Sequence, residues 1–350
     1  MTATTMSALV YEGPEVMTPR VVATPAVGPD DVLVRVAYSG ICGSELSGFL
    51  GQSSLRQAPL IFGHEVSGWV EAIGDQVPAQ FGLAVGAEIA VNPLRSCGRC
   101  RHCLTGHQQR CADRRLLGAH LPGANAQYLT VAAHSVHQLP AGMDLRDAAT
   151  AEPAAFALHA VRLSGVTATD TALVIGAGPI GQLLLQVLGQ IGVRRRFFIE
   201  TNPARRAMAE RLGATPIAAG EDVGTAVRAA AGNAGVNVAF DAVGTVSTRR
   251  DCLASVDSGA TVVLVGLHTD ETSLPLNTLI RNELRIIGVF AYTPVDFADA
   301  LDWIADGRVH LHDGMVVAPL ADGPGWYRRL VDGDPASKVL LQPEPVGGAA

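Results

Sequence analysis

The sequence predicts an α/β protein built from a mostly-β half and a doubly wound parallel sheet. Three observations predict it. Short β-branched runs separated by Gly and Pro turns fill the chain to about Thr150. From about Phe156, fully apolar strands alternate with helix-like runs, as in a parallel sheet covered on both faces. A glycine-rich turn, Gly176-Ala177-Gly178-Pro179-Ile180-Gly181, separates the first such strand from its helix. At about 150 residues per domain, the 350 residues correspond to roughly two domains.

In chain order, Val32–Val36, Val66–Val70 and Glu88–Val91 read as strands of the first half. A cysteine-rich segment, about 95–112, reads as an insertion into it. Thr171–Ile175 is the first apolar strand, followed by the glycine turn and a helix-like run from Leu183 to Ile191. Then come strand Phe197–Ile199, helix Ala204–Leu212, and strands Val236–Phe240 and Thr261–Val265. Leu284–Gly288 is a last strand and Pro294–Ala305 a helix. No internal repeat is present, and the tail Gly347-Gly348-Ala349-Ala350 is expected to fray.

Composition excludes several classes. With 48% apolar and 17% charged residues the chain can bury a large core and is not disordered. A net charge of −7 leaves no basic footprint for a nucleic acid. No apolar run approaches the ~18 residues of a membrane span. The start, Met1 to Met6, lacks the basic and apolar regions of a signal peptide, so a cytoplasmic protein is expected. Of 26 basic residues, Lys338 alone is a lysine, and no motif of a Schiff-base enzyme, P-loop NTPase or kinase surrounds it.

Four of the six cysteines, Cys97, Cys100, Cys103 and Cys111, form a C-x2-C-x2-C-x7-C pattern. In a reducing compartment such a cluster points to a metal rather than disulfides. Four thiolates around Zn²⁺ make a closed, structural site. An iron–sulfur cluster wants a shorter last gap and a following proline, where Ala112 stands here. Four unligated thiols sit poorly among Arg99, Arg101, His102, His107 and Arg110.

The glycine turn suits a dinucleotide. Gly176 makes the turn, Gly178 admits a pyrophosphate, Gly181 lets the helix pack, and the helix N-terminus faces the phosphates. Glu200, after Phe197-Phe198-Ile199, is placed to accept ribose hydroxyls and repel a 2′-phosphate, favouring NAD over NADP. Arg205 and Arg206 lie nearby and favour the phosphate. A doubly wound domain that binds no nucleotide is the other reading.

Three more segments carry potential ligands: Gly40-Ile41-Cys42-Gly43-Ser44-Glu45, Gly63-His64-Glu65 and Ala151-Glu152-Pro153. Read singly, Cys42 fits a buried hydrophobe, His64 a core histidine and Glu152 a helix-start carboxylate. Together with the cysteine loop and the glycine turn, in this order, these motifs resemble the zinc-dependent medium-chain dehydrogenase/reductase family over nearly the whole chain. Galactitol-, threonine- and sorbitol-dehydrogenase-type members look most similar. The resemblance implies a GroES-like mostly-β catalytic domain over 1–155, a Rossmann domain over 156–290, and a return to the catalytic domain over 291–350. It implies two zinc ions per chain: the structural one, and a catalytic one held by Cys42 and His64 with Glu65 or Glu152. Ser44 matches the hydroxyl that takes the substrate proton. Pro179, Ile180, Glu200 and Arg205 match contacts to the adenosine and pyrophosphate. Val265-Gly266-Leu267 and Val289-Phe290 match main-chain contacts to the nicotinamide half.

Two residues depart from the pattern: Ser47 where many relatives carry a histidine, and Ala291-Tyr292 where sorbitol-type enzymes carry Arg-Tyr. The first removes the usual proton exit, and the second argues against a sorbitol-like polyol. A metal can lower a bound water's pKa from about 15.7 to about 7. A zinc-bound alkoxide then gives hydride to the nicotinamide, so the expected reaction is reversible oxidation of a secondary alcohol or polyol to a ketone. A homodimer or homotetramer is expected. The rival readings are an NADPH-dependent, zinc-free quinone- or enoyl-type reductase, and a non-catalytic cofactor-binding protein.

Overall fold

The computed structural model describes residues 4–220 and 222–344, so the tail Gly347–Ala350 lies outside the described residues. The chain divides into two units. One is formed by Met1–Glu152 with Thr293–Ala350, the other by Pro153–Tyr292.

The first unit is built on a seven-stranded sheet. Its path runs Val136–Gln138, Glu88–Val91, Glu65–Ile73, Asp31–Gly40, Lys338–Gln342 and Met315–Pro319, with Tyr128–Ala132 also paired to Asp31–Gly40. Most pairings are antiparallel, but Lys338–Gln342 and Met315–Pro319 run parallel. The alternation of Val32, Val34 and Val36 places all three in one buried cluster with Val66, Val70, Ile89 and Val91. Complete burial of each such side chain stabilises by about 1.5–3 kcal/mol. The strand Lys338–Gln342 pairs with Ser39 and Gly40, next to Ile41 and Cys42, and Glu65 pairs with Gly40. The short pair Leu94–Arg95 and Arg115–Leu116 brackets the cysteine loop.

The second unit is a six-stranded parallel sheet. Its order is Thr215–Pro216, Arg195–Ile199, Thr171–Ile175, Val236–Asp241, Val256–Leu264 and Arg285–Gly288. The chain begins in the middle at Thr171–Ile175, runs outward on one side, then crosses to Val236–Asp241. The switch point therefore lies between these two strands, where doubly wound sheets bind ligands beyond the strands' carboxyl ends.

Several elements differ from the sequence expectation. The helix expected from Leu183 begins at Pro179, because proline suits the first helical turn and Gly178 caps it. The strand expected over Thr261–Val265 runs Val256–Leu264, and stops there because Val265 N–H and Gly266 N–H both turn to the Asp241 carbonyl. Leu284 precedes rather than joins the strand Arg285–Gly288. The helix-start reading of Glu152 is met by the helix Ala151–Ser164, whose extent the sequence does not mark: it is buried on nearly every side, so no polar stripe shows its period.

His137 in strand Val136–Gln138 packs on Phe297 of helix Pro294–Ala305, with ring centroids 4.7 Å apart. Burial pushes its pKa down to about 4. Between about pH 6.5 and 4 the unfolded chain therefore binds a proton that the native chain refuses. Stability is full above that window and falls as pH drops through it, by up to about 3 kcal/mol. His137→Leu is expected to flatten urea-derived stability between pH 6.5 and 4; an unchanged slope would place the pH sensitivity elsewhere.

Candidate functional site

Cys42 caps the short helix Gly43–Phe49, and His64 stands just before the strand Glu65–Ile73, which Glu65 opens. The two segments meet because Gly40 and Glu65 are paired residues of adjacent strands. Gly63 adopts φ +104°, and a Cβ there would stand 2.6 Å from Ser39 Oγ and 2.7 Å from Asn125 N. Only glycine lets the chain turn so close to its neighbours.

Ligand atoms of Cys42, His64 and Glu65 lie within 4.8 Å of one another. Glu152 is outside this set, although its charge reaches Lys338. A thiolate, an imidazole and a carboxylate suit a zinc that keeps an open position. Glu45, fully buried, fixes the histidine: its Oε1 is 2.6 Å from His64 Nδ1 and accepts Gly63 N–H at 3.0 Å. With Nδ1 so engaged, Nε2 is left as the ligand nitrogen. Burial would lower the His64 pKa, but Glu45 and then Cys42 raise it well above the ordinary value. A metal cation would occupy the position that this proton takes in the free chain.

Glu45 is held in turn. Its Oε2 accepts from Tyr327 OH at 2.7 Å, Asn125 Nδ2 donates to that hydroxyl at 3.0 Å, and Ser39 Oγ donates to Asn125 Oδ1 at 2.7 Å. Burial raises the Glu45 pKa, but His64 more than offsets this and keeps it below the ordinary value. Lys338, 3% exposed, gives its three protons to three acceptors: Glu65 Oε1 at 2.8 Å, Glu65 Oε2 at 2.6 Å and the Ile41 carbonyl at 3.2 Å. Burial would lower the pKa of this ammonium, but the Glu65 carboxylate raises it above the usual lysine value.

Sequence reasoning passed over Glu45, Asn125, Tyr327, Arg56 and Lys338. Two signals were available: Glu45 stands inside the Gly40–Glu45 motif, and Lys338 is the single lysine among so many arginines. Neither signal named a partner.

The cysteine loop forms a second group. The sulfurs of Cys97, Cys100, Cys103 and Cys111 lie within 4.8 Å of one another, and none is in a disulfide. Cys103 Sγ is 3.9 Å from that of Cys97 and 3.5 Å from that of Cys100. A tetrahedron with Zn–S bonds of ~2.3 Å has edges of about 3.8 Å, so these residues fit zinc. The backbone N–H groups of Arg99 and Cys100 bring the Cys97 thiol down to about 6. At Cys111 the Cys97 N–H lowers the pKa, but burial and the neighbouring thiols push it up to about 11.

In the second unit the glycine turn follows strand Thr171–Ile175 at the switch point. Gly176 has φ +92°, and a Cβ on Gly181 would meet the Gly176 carbonyl oxygen at 1.9 Å. Gly178 has open space instead, which suits a pyrophosphate at the N-terminus of helix Pro179–Gln190. Glu200 Oε2 accepts the Ala177 N–H at 2.9 Å and Oε1 the Asn202 N–H at 2.8 Å, tying the carboxylate to the turn. Asn202 caps helix Pro203–Arg211 through Ala204 and Arg205 N–H, while Arg206 pairs with Glu210 at 3.1 Å. Val265-Gly266-Leu267 and Val289-Phe290 follow the next two strand ends, Val265 and Val289 buried and Leu267 and Phe290 exposed.

Comparison with known proteins agrees with this arrangement. Residues 28–141 match the alcohol dehydrogenase GroES-like domain, and residues 179–306 match the zinc-binding dehydrogenase model. A 2-dehydro-3-deoxy-L-galactonate 5-dehydrogenase of Pseudoalteromonas atlantica is 33% identical over 90% of this chain and 93% of its own. A D-arabitol-phosphate dehydrogenase of Enterococcus avium is 30% identical over 92% of this chain and 93% of its own. Among solved structures, a zinc-binding dehydrogenase from Sinorhizobium meliloti bound to NADP superposes with a TM-score of 0.87. It is 30% identical, over 97% of this chain and 100% of its own. These matches support neither the zinc-free reductase nor the non-catalytic alternative. The chain belongs to the zinc-dependent medium-chain dehydrogenase/reductase family, with its GroES-like and Rossmann folds.

Proposed function

We propose that this chain is a zinc- and NAD(P)-dependent dehydrogenase that interconverts a secondary alcohol or polyol and its ketone. The observation that carries the reading is the meeting of Cys42, His64 and Glu65 ligand atoms in a chain whose other unit presents a dinucleotide turn. In this reading Cys42 and His64 hold the catalytic zinc with Glu65 or Glu152, and Cys97, Cys100, Cys103 and Cys111 hold the structural one. The bound groups supply Lewis-acid polarisation of the substrate oxygen and acceptance of a hydride.

The chain's own residues do the rest. Glu45 keeps the His64 ring in one orientation, and Tyr327 and Asn125 keep Glu45 in place. Ser44, exposed beside buried Glu45, takes the substrate proton. Gly176, Gly178, Pro179, Ile180 and Gly181 receive the pyrophosphate, with Glu200 and Arg205 near the adenosine. Val265-Gly266-Leu267 and Val289-Phe290 line the nicotinamide half.

The substrate is a small alcohol or polyol, as the names of both relatives suggest. A homo-oligomer is supported by the edge strand Arg285–Gly288 and by Leu276 and Ile280 beside it, 68% and 74% exposed. A cytoplasmic setting suits free clustered thiols. Among the described residues no helix is long and apolar enough to cross a membrane.

The test is a panel of alcohols, polyols and sugar acids with NAD⁺, read at the NADH absorbance. Glu200 is expected to make NAD⁺ the better cofactor, and Glu200→Ala to narrow or reverse the preference. Faster turnover of the unaltered enzyme with NADP⁺ at equal low concentration would assign the choice to Arg205 or Arg206. No turnover of any compound would defeat the reading as a whole.

A further inference from the structure

The residue that grips Ser44 is Arg56. Its side chain is 6% exposed. Nη1 donates to the Ser44 carbonyl at 3.1 Å, Nη2 to Ser44 Oγ at 3.2 Å, and Nε to the Gly118 carbonyl at 3.0 Å. The guanidinium lies 5.7 Å from the Phe62 ring centroid. A Cβ on Gly48 would come within 2.4 Å of Arg56 Cδ, so the helix Gly43–Phe49 leaves room for this stem. A planar fork on both the carbonyl and the hydroxyl of one residue fixes that residue's χ1, whereas a free exposed serine samples three wells. Ser47 is only partly buried and forms no hydrogen bond with Ser44 among the described residues.

We propose that Arg56 is the positioning residue of the proton relay and that the relayed proton leaves from Ser44 directly into water. This rests on the reading of Ser44 as the group that accepts the substrate proton. A hydroxyl has two lone pairs and one proton. Arg56 Nη2 fills one lone pair, and in the free chain the hydroxyl proton lies against Cys42 Sγ at 3.5 Å. One lone pair is left for the substrate hydroxyl. When its O–H bond breaks, a new O–H forms on Ser44, and the original Ser44 O–H, turned from Cys42 to a water, gives its proton to that water, which returns the serine unchanged. The guanidinium has no acceptor site and cannot carry that proton onward. Ser44 is exposed, so water reaches it without a histidine at position 47.

The experiment is a double-mutant cycle on the zinc-loaded enzyme, using Ser44→Ala, Arg56→Met and the double variant, with Arg56→Lys and Ser47→Ala beside them. Zinc per chain and NADH binding confirm that each variant is folded and loaded. Ser44→Ala and Arg56→Met are each expected to lower kcat by ~10²-fold, the range of a positioned proton-transfer group, with little change in KM. The double variant is expected to be no slower than Ser44→Ala alone, because the two residues act as one device. The proton burst that a pH indicator reports on mixing enzyme, NAD⁺ and alcohol should slow with kcat. Arg56→Lys, which keeps the charge but not the fork, should show the same loss. Added guanidinium should rescue Arg56→Ala but not Ser44→Ala/Arg56→Ala. Ser47→Ala should be silent. Multiplicative losses in the double variant, or full activity of Arg56→Lys, would overturn the assignment of Arg56. Full activity of Ser44→Ala would instead overturn the relay reading beneath it.

Discussion

Cys42→Ala is expected to yield a folded chain with one zinc instead of two and dehydrogenase activity lowered by about 10³-fold or more. The size follows from the several kcal/mol that a metal contributes to charge stabilisation, at about 1.36 kcal/mol per factor of ten. Folding should survive because Cys42 is itself only partly buried and makes no side-chain cap to the helix Gly43–Phe49 that follows it. Elemental analysis with a thermal melt separates the two zinc sites. Cys103→Ala should keep the catalytic ligands but lose stability first, because it frees a loop whose ends are tied by little more than the short pair Leu94–Arg95 and Arg115–Leu116 and the Leu117 N–H to the Pro93 carbonyl. Iron in the purified protein, or two zinc ions in Cys42→Ala, would refute this assignment.

Lys338→Met should be the most damaging single change to stability outside the metal ligands. It leaves the Glu65 carboxylate, 0% exposed, without its cation, and the Ile41 carbonyl without its donor. Removing one partner of a buried pair typically costs about 3–5 kcal/mol, a large part of a domain's stability. The double change Lys338→Met/Glu65→Gln should recover much of the loss, since neither residue of this pair then leaves an unpaired buried charge. Denaturant unfolding of the three variants measures both effects. A Lys338→Met protein within about 1 kcal/mol of the parent would show that Glu65 finds another cation, the bound metal included. Arginine should not substitute, since three acceptors arranged for an ammonium do not suit a planar five-donor fork.

The parts of this molecule legible in the sequence are those written locally. Thr171–Ile175 and Glu88–Val91 appear as strands at the expected residues, since an apolar run or an alternation between turns identifies itself. The cysteine cluster and the glycine turn likewise carry their ligands within a few residues. Of the helix Ala151–Ser164 only the start at Glu152 was legible, because burial on nearly all sides erases the stripe that marks a helix's length. The supports of the candidate site were hidden for a different reason. Tyr327 and Lys338 stand 282 and 273 residues from the carboxylates they hold, and the sequence around them shows no sign of either partner.

That separation sets a timetable for the growing chain. The cysteine loop spans a sequence separation of 14 between Cys97 and Cys111 and can close around its metal soon after it leaves the ribosome. Glu65 must wait through 273 further residues for its lysine, about 14–55 s at ~5–20 residues per second. Over that interval the strand Glu65–Ile73 lacks the ammonium that neutralises its first residue, and Glu45 lacks the tyrosine that steadies it. The four cysteines are therefore together early in synthesis, whereas the supports of Glu65 and Glu45 are complete only once the last described strand has paired beside Gly40.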